Sequence, residues 1–78
     1  MDRTATDQAI KIFLREIHER LGKAARVAAA AEACANAGNV DKGVEVALDI
    51  EQLAYEASRL LDAASLINRL SRTESPDA

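Results

Sequence analysis

The sequence predicts an all-α fold, a long antiparallel helical hairpin that dimerises into a four-helix bundle. Three observations lead to this prediction. Apolar residues recur at helical spacing in two stretches of similar length, and a short segment with one glycine separates the stretches. Alanine, the best helix former, supplies 17 of the 78 residues. Aromatic residues, which β-folds favour, make up only 3% of the chain.

The first helix is predicted over residues 5–37. It is amphipathic as far as Leu21, and from Ala24 onward alanine occupies nearly every face. An all-round apolar helix tends to be buried, so this stretch is expected to lie inside an assembly. Gly22 disfavours helix by roughly 1 kcal/mol relative to alanine. A three-helix bundle broken at Gly22 is therefore the alternative fold.

The connection is predicted to be a tight turn at residues 38–39. Gly38 can take the left-handed conformation that closes a helix, and Asn39 or Asp41 can cap the next one. The second helix is predicted over residues 40–72, followed by a frayed tail at residues 73–78. All of these elements belong to one domain, residues 1–78.

The second helix has apolar residues at alternating steps of four and three, which is the heptad pattern of a coiled-coil seam. The first helix repeats every seven residues on neighbouring lines. The largest apolar residues of these lines are predicted to form the dimer seam. They are Ile10, Phe13, Leu14, Ile17, Leu21, Ile50, Leu53, Leu60, Leu61 and Ile67.

Self-association is expected because so short a chain buries a modest core and usually needs a staple or a partner. Cys34 is the only cysteine and His18 the only histidine, so neither an internal disulfide nor a metal site is expected. A lone thiol also fits the cytoplasm as the compartment.

The remaining features of the composition limit the classes of partner that are expected. No apolar run approaches the ~20 residues of a membrane span, and the net charge of −3 gives no general reason to expect nucleic acid. No phosphate-binding loop or catalytic constellation is present, so we expect neither an enzyme nor a cofactor. A second apolar strip points away from the seam and is a possible surface for another protein. It comprises Val44, Leu48, Tyr55 and Leu66.

Charge divides unevenly between the two helices, since residues 11–26 are mainly basic and residues 41–62 mainly acidic. Arg20 interrupts an apolar line of the first helix. It is expected to extend along the edge of the bundle or to pair across the dimer with an acid such as Glu56.

His18 is a candidate phosphoacceptor on a polar face. The segment Leu14-Arg15-Glu16-Ile17-His18-Glu19-Arg20-Leu21 resembles the phosphoacceptor box of sensor histidine kinases. The resemblance covers residues 14–21. It implies a dimerisation-and-phosphotransfer hairpin that forms a four-helix bundle, with His18 at the phosphoacceptor position.

The function expected from the sequence is a small non-enzymatic protein–protein interaction module, an adaptor or regulator that works as a homo-oligomeric helical bundle. A phosphotransfer-like scaffold of a two-component pathway is one alternative. The other is an RNA-binding dimer of the Rop type, which would use the basic face formed by Lys11, Arg15 and Arg26.

Overall fold

The computed structural model describes residues 3–73 of the chain. These residues form three helices and no strand: α1 spans Arg3–Asn36, α2 spans Val40–Ala47 and α3 spans Asp49–Thr73. The first arm is α1, and the second arm, α2 with α3, returns along it to give a rod of 61 × 14 × 14 Å. The predicted all-α hairpin is confirmed. Of the predicted tail, Thr73 ends α3, and residues 74–78 lie outside the described residues.

The first arm is a single helix. α1 passes through Gly22 without a break, so the alternative of a three-helix bundle broken at this glycine is wrong. Gly22 lies away from the second arm: the nearest atom to a Cβ built there is Nη1 of Arg26, at 3.7 Å. Half-buried residues nearby on the packed face, Ile17 and Ala24, keep α1 against the second arm on both sides of the glycine.

The second arm is interrupted at Leu48, where the sequence predicts one continuous helix over residues 40–72. The Leu48 backbone keeps right-handed helical angles, φ −61° and ψ −26°. Its N–H donates to the carbonyls of both Val44, at 3.2 Å, and Glu45, at 3.3 Å. Such a shared hydrogen bond is a local tightening of the helix toward 3₁₀ geometry. The arm therefore continues along α1 beyond the interruption.

The turn between the arms has the features that the sequence predicts. Gly38 has a φ of +96°, which only glycine adopts readily. The N–H of Gly38 donates to the Ala35 carbonyl and the N–H of Asn39 to the Cys34 carbonyl, both at 3.0 Å. This pair of bonds is a Schellman motif. Asn39 then caps α2, because its side-chain oxygen accepts from the N–H of Lys42 at 3.2 Å.

The arms approach closely where α2 packs against the alanine-rich part of α1. Gly43 is buried there, and a Cβ built on it would lie 2.8 Å from the Ala31 carbonyl oxygen and 3.4 Å from Ala35 Cβ. The close contact between the α1 and α2 backbones explains why the residues on this side of α1 are small. The outward alanines of the same stretch, such as Ala29 and Ala33, are exposed in the hairpin.

Candidate functional site

The ten residues of the predicted dimer seam fall into two groups. Seven are buried or half-buried on the faces by which the two arms of one chain meet: Ile10, Phe13, Ile17, Ile50, Leu53, Leu60 and Ile67. The other three, Leu14, Leu21 and Leu61, are 51%, 51% and 56% exposed. Contacts within the hairpin and contacts available to a second molecule use the same seven-residue repeat. Periodicity alone therefore could not separate the two groups.

One side of the hairpin, called here the charged flank, carries a cluster of polar side chains around Arg20. Its guanidinium donates from Nη1 to Glu16 Oε1 on α1, at 2.6 Å, and from Nε to Glu56 Oε1 on α3, at 3.0 Å. Gln52 Nε2 donates to the other Glu56 oxygen at 2.9 Å. Because one guanidinium reaches both carboxylates, Glu16 and Glu56 lie on the same flank.

Arg20 thus pairs with Glu56, as expected, but the pair forms within one chain and not between two chains. The hydrogen bonds from Gln52 and then Arg20 hold the pKa of the Glu56 carboxyl below its usual range. The hydrogen bonds to Glu16 and then Glu56 raise the pKa of Arg20. The cluster is between about a third and two fifths exposed and bridges the two arms. It has the properties of a structural ion-pair network.

The opposite side of the hairpin, called here the apolar flank, begins on α1. Leu14 and Leu21 each follow a half-buried isoleucine, Ile10 or Ile17, by four residues. Residues four apart are neighbours on a helix surface. Glu16 lies on the other side of the packed face, so the two leucines point away from the charged flank. They form an exposed apolar line along the first arm.

The same relation holds on α3. Ala54 and Leu61 follow the packed residues Ile50 and Ala57 by four positions, on the side away from Glu56. In an antiparallel pair of helices these positions adjoin those of the other arm. The apolar flank therefore combines both arms. It consists of Leu14, Leu21, Ala28 and Ala35 on α1 with Val40, Ala47, Ala54 and Leu61 on the second arm.

The core that the hairpin builds alone is small. Among the described residues its buried apolar side chains are one leucine and three alanines, namely Leu53, Ala31, Ala57 and Ala64. The chain exposes 5682 Å². The usual scaling for a compact monomer of 8.4 kDa gives roughly 4,600 Å². The surplus is comparable with one side of a standard protein–protein interface, roughly 800 Å².

The second predicted surface, called here the outer strip, is exposed along its whole length. Its four residues, Val44, Leu48, Tyr55 and Leu66, all lie on the surface of the hairpin. Two further exposed apolar residues, Ile12 and Leu70, were missed by the sequence analysis. Both lie off the seam lines, so a search for heptads passes over them. The exposure of Ile12 and Leu70 becomes apparent only from the way in which the two arms pack together.

His18 is exposed on α1. It borders a shallow depression whose other lining residues are Glu19, Gly22, Lys23 and Arg26. All five belong to α1, so the depression is a feature of one helix surface and not a pocket between the arms. The basic residues Lys11 and Arg15 are also exposed.

The other candidate chemistry is limited within the described part of the chain. Cys34 is a half-buried free thiol. Residues 3–73 contain no group of three or more histidine, cysteine or acidic side chains that could hold a metal ion. None of the three helices described combines the length and apolarity needed to cross a bilayer.

Comparison with protein-family models, with curated proteins and with solved structures finds no match to this chain. Its function is therefore argued from its surfaces.

Proposed function

We propose that this chain is a non-enzymatic protein–protein interaction module, an adaptor or regulator that works as a homodimer formed through the apolar flank. The observation that supports the proposal is the line of half-exposed leucines, Leu14, Leu21 and Leu61, beside a core in which Leu53 is the one buried leucine of the described residues. Burying apolar area contributes about 25 cal/mol per Å². A second copy would cover these leucines and extend the core at once.

The two flanks differ in a way that selects the apolar one. On the charged flank, Arg20 already satisfies Glu16 and Glu56, and a docking partner would have to desolvate that network. The apolar flank presents leucine and alanine, whose burial has no such cost. Docking there turns two thin hairpins into a four-helix bundle. The outer strip stays uncovered on each copy and is available to a different protein.

The test is the molar mass in solution. At micromolar concentration we expect light scattering to give twice the chain mass of 8.4 kDa. Leu21→Glu and Leu61→Glu should each shift the protein to the monomer, because each places a charge in an apolar interface without a partner. Both positions are exposed in the hairpin, so a single folded chain can accommodate the carboxylate.

The matched control is Leu66→Glu, which alters a leucine of similar exposure, 47%, outside the apolar flank. It should leave the dimer intact. A wild-type protein that is monomeric at these concentrations would overturn the proposal. So would a Leu21→Glu variant that keeps the wild-type molar mass.

We also propose the cytoplasm as its compartment. Cys34 is the single cysteine of the chain, and a free thiol is stable under reducing conditions.

A further inference from the structure

The apolar flank is not uniform along the rod. Leu14 and Leu61 lie toward the open end, where α1 begins and α3 ends, and Leu21 lies near the middle. Toward the turn the corresponding positions are alanines, such as Ala28 and Ala47. The flank is therefore bulky at one end and thin at the other. This gradient distinguishes the ways in which two copies can pack.

A twofold axis can place a second copy on this flank in two arrangements. If the axis runs along the rod, both turns lie at the same end, and each α1 faces the second arm of the partner. If the axis crosses the rod, the turns lie at opposite ends, and each arm faces its own counterpart. The two arrangements bring different residues into contact.

With the turns at the same end, side chains of equal size meet in the layers on either side of Leu21, and Leu21 itself faces the partner's Ala54. Leu14 lies almost as far from the turn as Leu61, so Leu14 would face the partner's Leu61, and Ala28 would face the partner's Ala47. All four of these leucines would gather at the open end, and alanines would meet alanines near the turn. The leucines would hold the two hairpins far apart at the open end, and the alanines near the turn would then be loosely packed.

With the turns at opposite ends, large side chains meet small ones in the layers on either side of the axis. The bonds from Arg20 to Glu56 and from Arg3 to Ser71 fix the register of the arms and put Leu21 level with Ala54. An axis at this level lies seven residues from Leu14 and from Ala28 on α1. It also lies seven residues from Leu61 and from Ala47 on the second arm.

Leu14 then faces the partner's Ala28, and Leu61 faces the partner's Ala47. At the axis, Leu21 faces its own counterpart and Ala54 faces its own counterpart. Each of these three layers thus contains two leucines and two alanines, and the spacing between the hairpins is even along them. Interdigitation of large and small side chains is how helix interfaces reach the packing density of protein interiors.

The charges beside the flank favour the same arrangement. Lys11 and Glu32 are exposed, and neither forms an ion pair within residues 3–73. Lys11 is ten residues before Leu21 and Glu32 is eleven after it. With the turns at opposite ends, Lys11 therefore approaches the partner's Glu32, and symmetry repeats the pair. With the turns at the same end, Lys11 would lie level with the partner's Ala64, which is neutral.

We propose that the second copy is seated with its turn at the opposite end of the rod, and that the twofold axis crosses at Leu21 and Ala54. The inference rests on the proposed self-association. It adds the orientation of the two copies. In this orientation the outer strips of the two hairpins run in opposite directions along the rod.

The orientation can be measured by pulsed electron paramagnetic resonance on Cys34→Ala protein. A spin label at Asp41→Cys lies thirteen residues from the level of the axis. We expect a separation of about 40 Å between the two labels of a dimer, from 1.5 Å of rise per residue. A separation near or below about 25 Å, the width of a bundle, would overturn the proposed orientation.

A label at Ser58→Cys is the matched control, because residue 58 lies near the axis level and gives a short distance in either arrangement. A short distance at residue 58 with a short one at residue 41 rejects the orientation alone. Loss of both distances, with monomeric molar mass, rejects the self-association on which the inference rests. The two failures are thus distinguishable.

A charge exchange gives an independent test. Lys11→Glu should weaken dimerisation by roughly threefold to tenfold through repulsion from the partner's Glu32, and adding Glu32→Lys should restore the wild-type dissociation constant. With the turns at the same end these residues lie at opposite ends of the dimer. Equal and additive effects of the two substitutions, with no restoration, would then contradict the proposal.

Discussion

At Gly43, the absence of a single side chain determines how closely the two arms approach. The space that a Cβ would need is occupied by a backbone oxygen, that of Ala31 at 2.8 Å. A backbone atom cannot rotate aside as a side chain can, so a larger residue must separate the helices. A Cβ at Gly22, by contrast, would make only an ordinary contact with the end of the Arg26 side chain, at 3.7 Å. Two glycines in similar helical settings therefore have opposite roles.

Gly43→Ala is expected to destabilise the hairpin although alanine is the better helix former. Overpacking costs about 1–3 kcal/mol, against a gain of roughly 1 kcal/mol in helix propensity. Gly22→Ala should show the gain alone, about 1 kcal/mol. Urea denaturation followed by circular dichroism measures both. If the two variants were stabilised equally, the close approach at Gly43 would not exist in solution.

At the scale of the elements, the Arg20 cluster connects the first arm to the second at the middle of the rod. Glu56 is its acceptor on α3, and Gln52 holds the second Glu56 oxygen. Both hydrogen bonds favour the ionised carboxylate, which is why its pKa falls below the ordinary value of 4.5. The connection between the arms therefore depends on pH.

Glu56→Gln is expected to reduce the loss of stability in acid. Because the pKa of Glu56 is lower in the folded chain, its contribution is fully present above pH 4.5 and is lost as the pH falls below 4.5 through the folded value. The free energy of unfolding should thus decline less steeply in the variant than in the wild type between about pH 5 and pH 3. The control is Glu45→Gln on α2, whose ion pair within residues 3–73 is local, with Lys42. Identical pH profiles for Glu56→Gln and wild type would contradict this role.

The elements also show how far a sequence alone can predict this structure. The turn was predictable because Gly38 and Asn39 have local roles that depend on their own chemistry. The packed face of α3 was predictable from its heptad spacing. The interruption at Leu48 was not, since no glycine or proline marks it. The exposure of Leu14 and Leu61 also had no local signal, because it depends on which face of one arm meets the other.

At the scale of the whole molecule, the hairpin is a rod 14 Å thick, which is little more than one layer of side chains between two helices. Its own core contains a single buried leucine among the described residues. Conformational entropy opposes folding along the full length of such a rod. The apolar flank offers the burial that the core lacks, so we expect folding and association to be coupled.

Coupling of this kind predicts that thermal stability depends on protein concentration. A partner that binds only the folded chain stabilises it by mass action, so a hundredfold dilution should lower the Tm by roughly 5–10 °C. Leu21→Glu should melt at a lower temperature that does not change on dilution, because that variant has no interface to lose. Leu66→Glu, with its flank intact, should keep the concentration dependence of the wild type. A wild-type Tm that stays constant across the dilution series would mean that a second copy adds no stability to the hairpin, whose own centre holds Leu53 and three alanines.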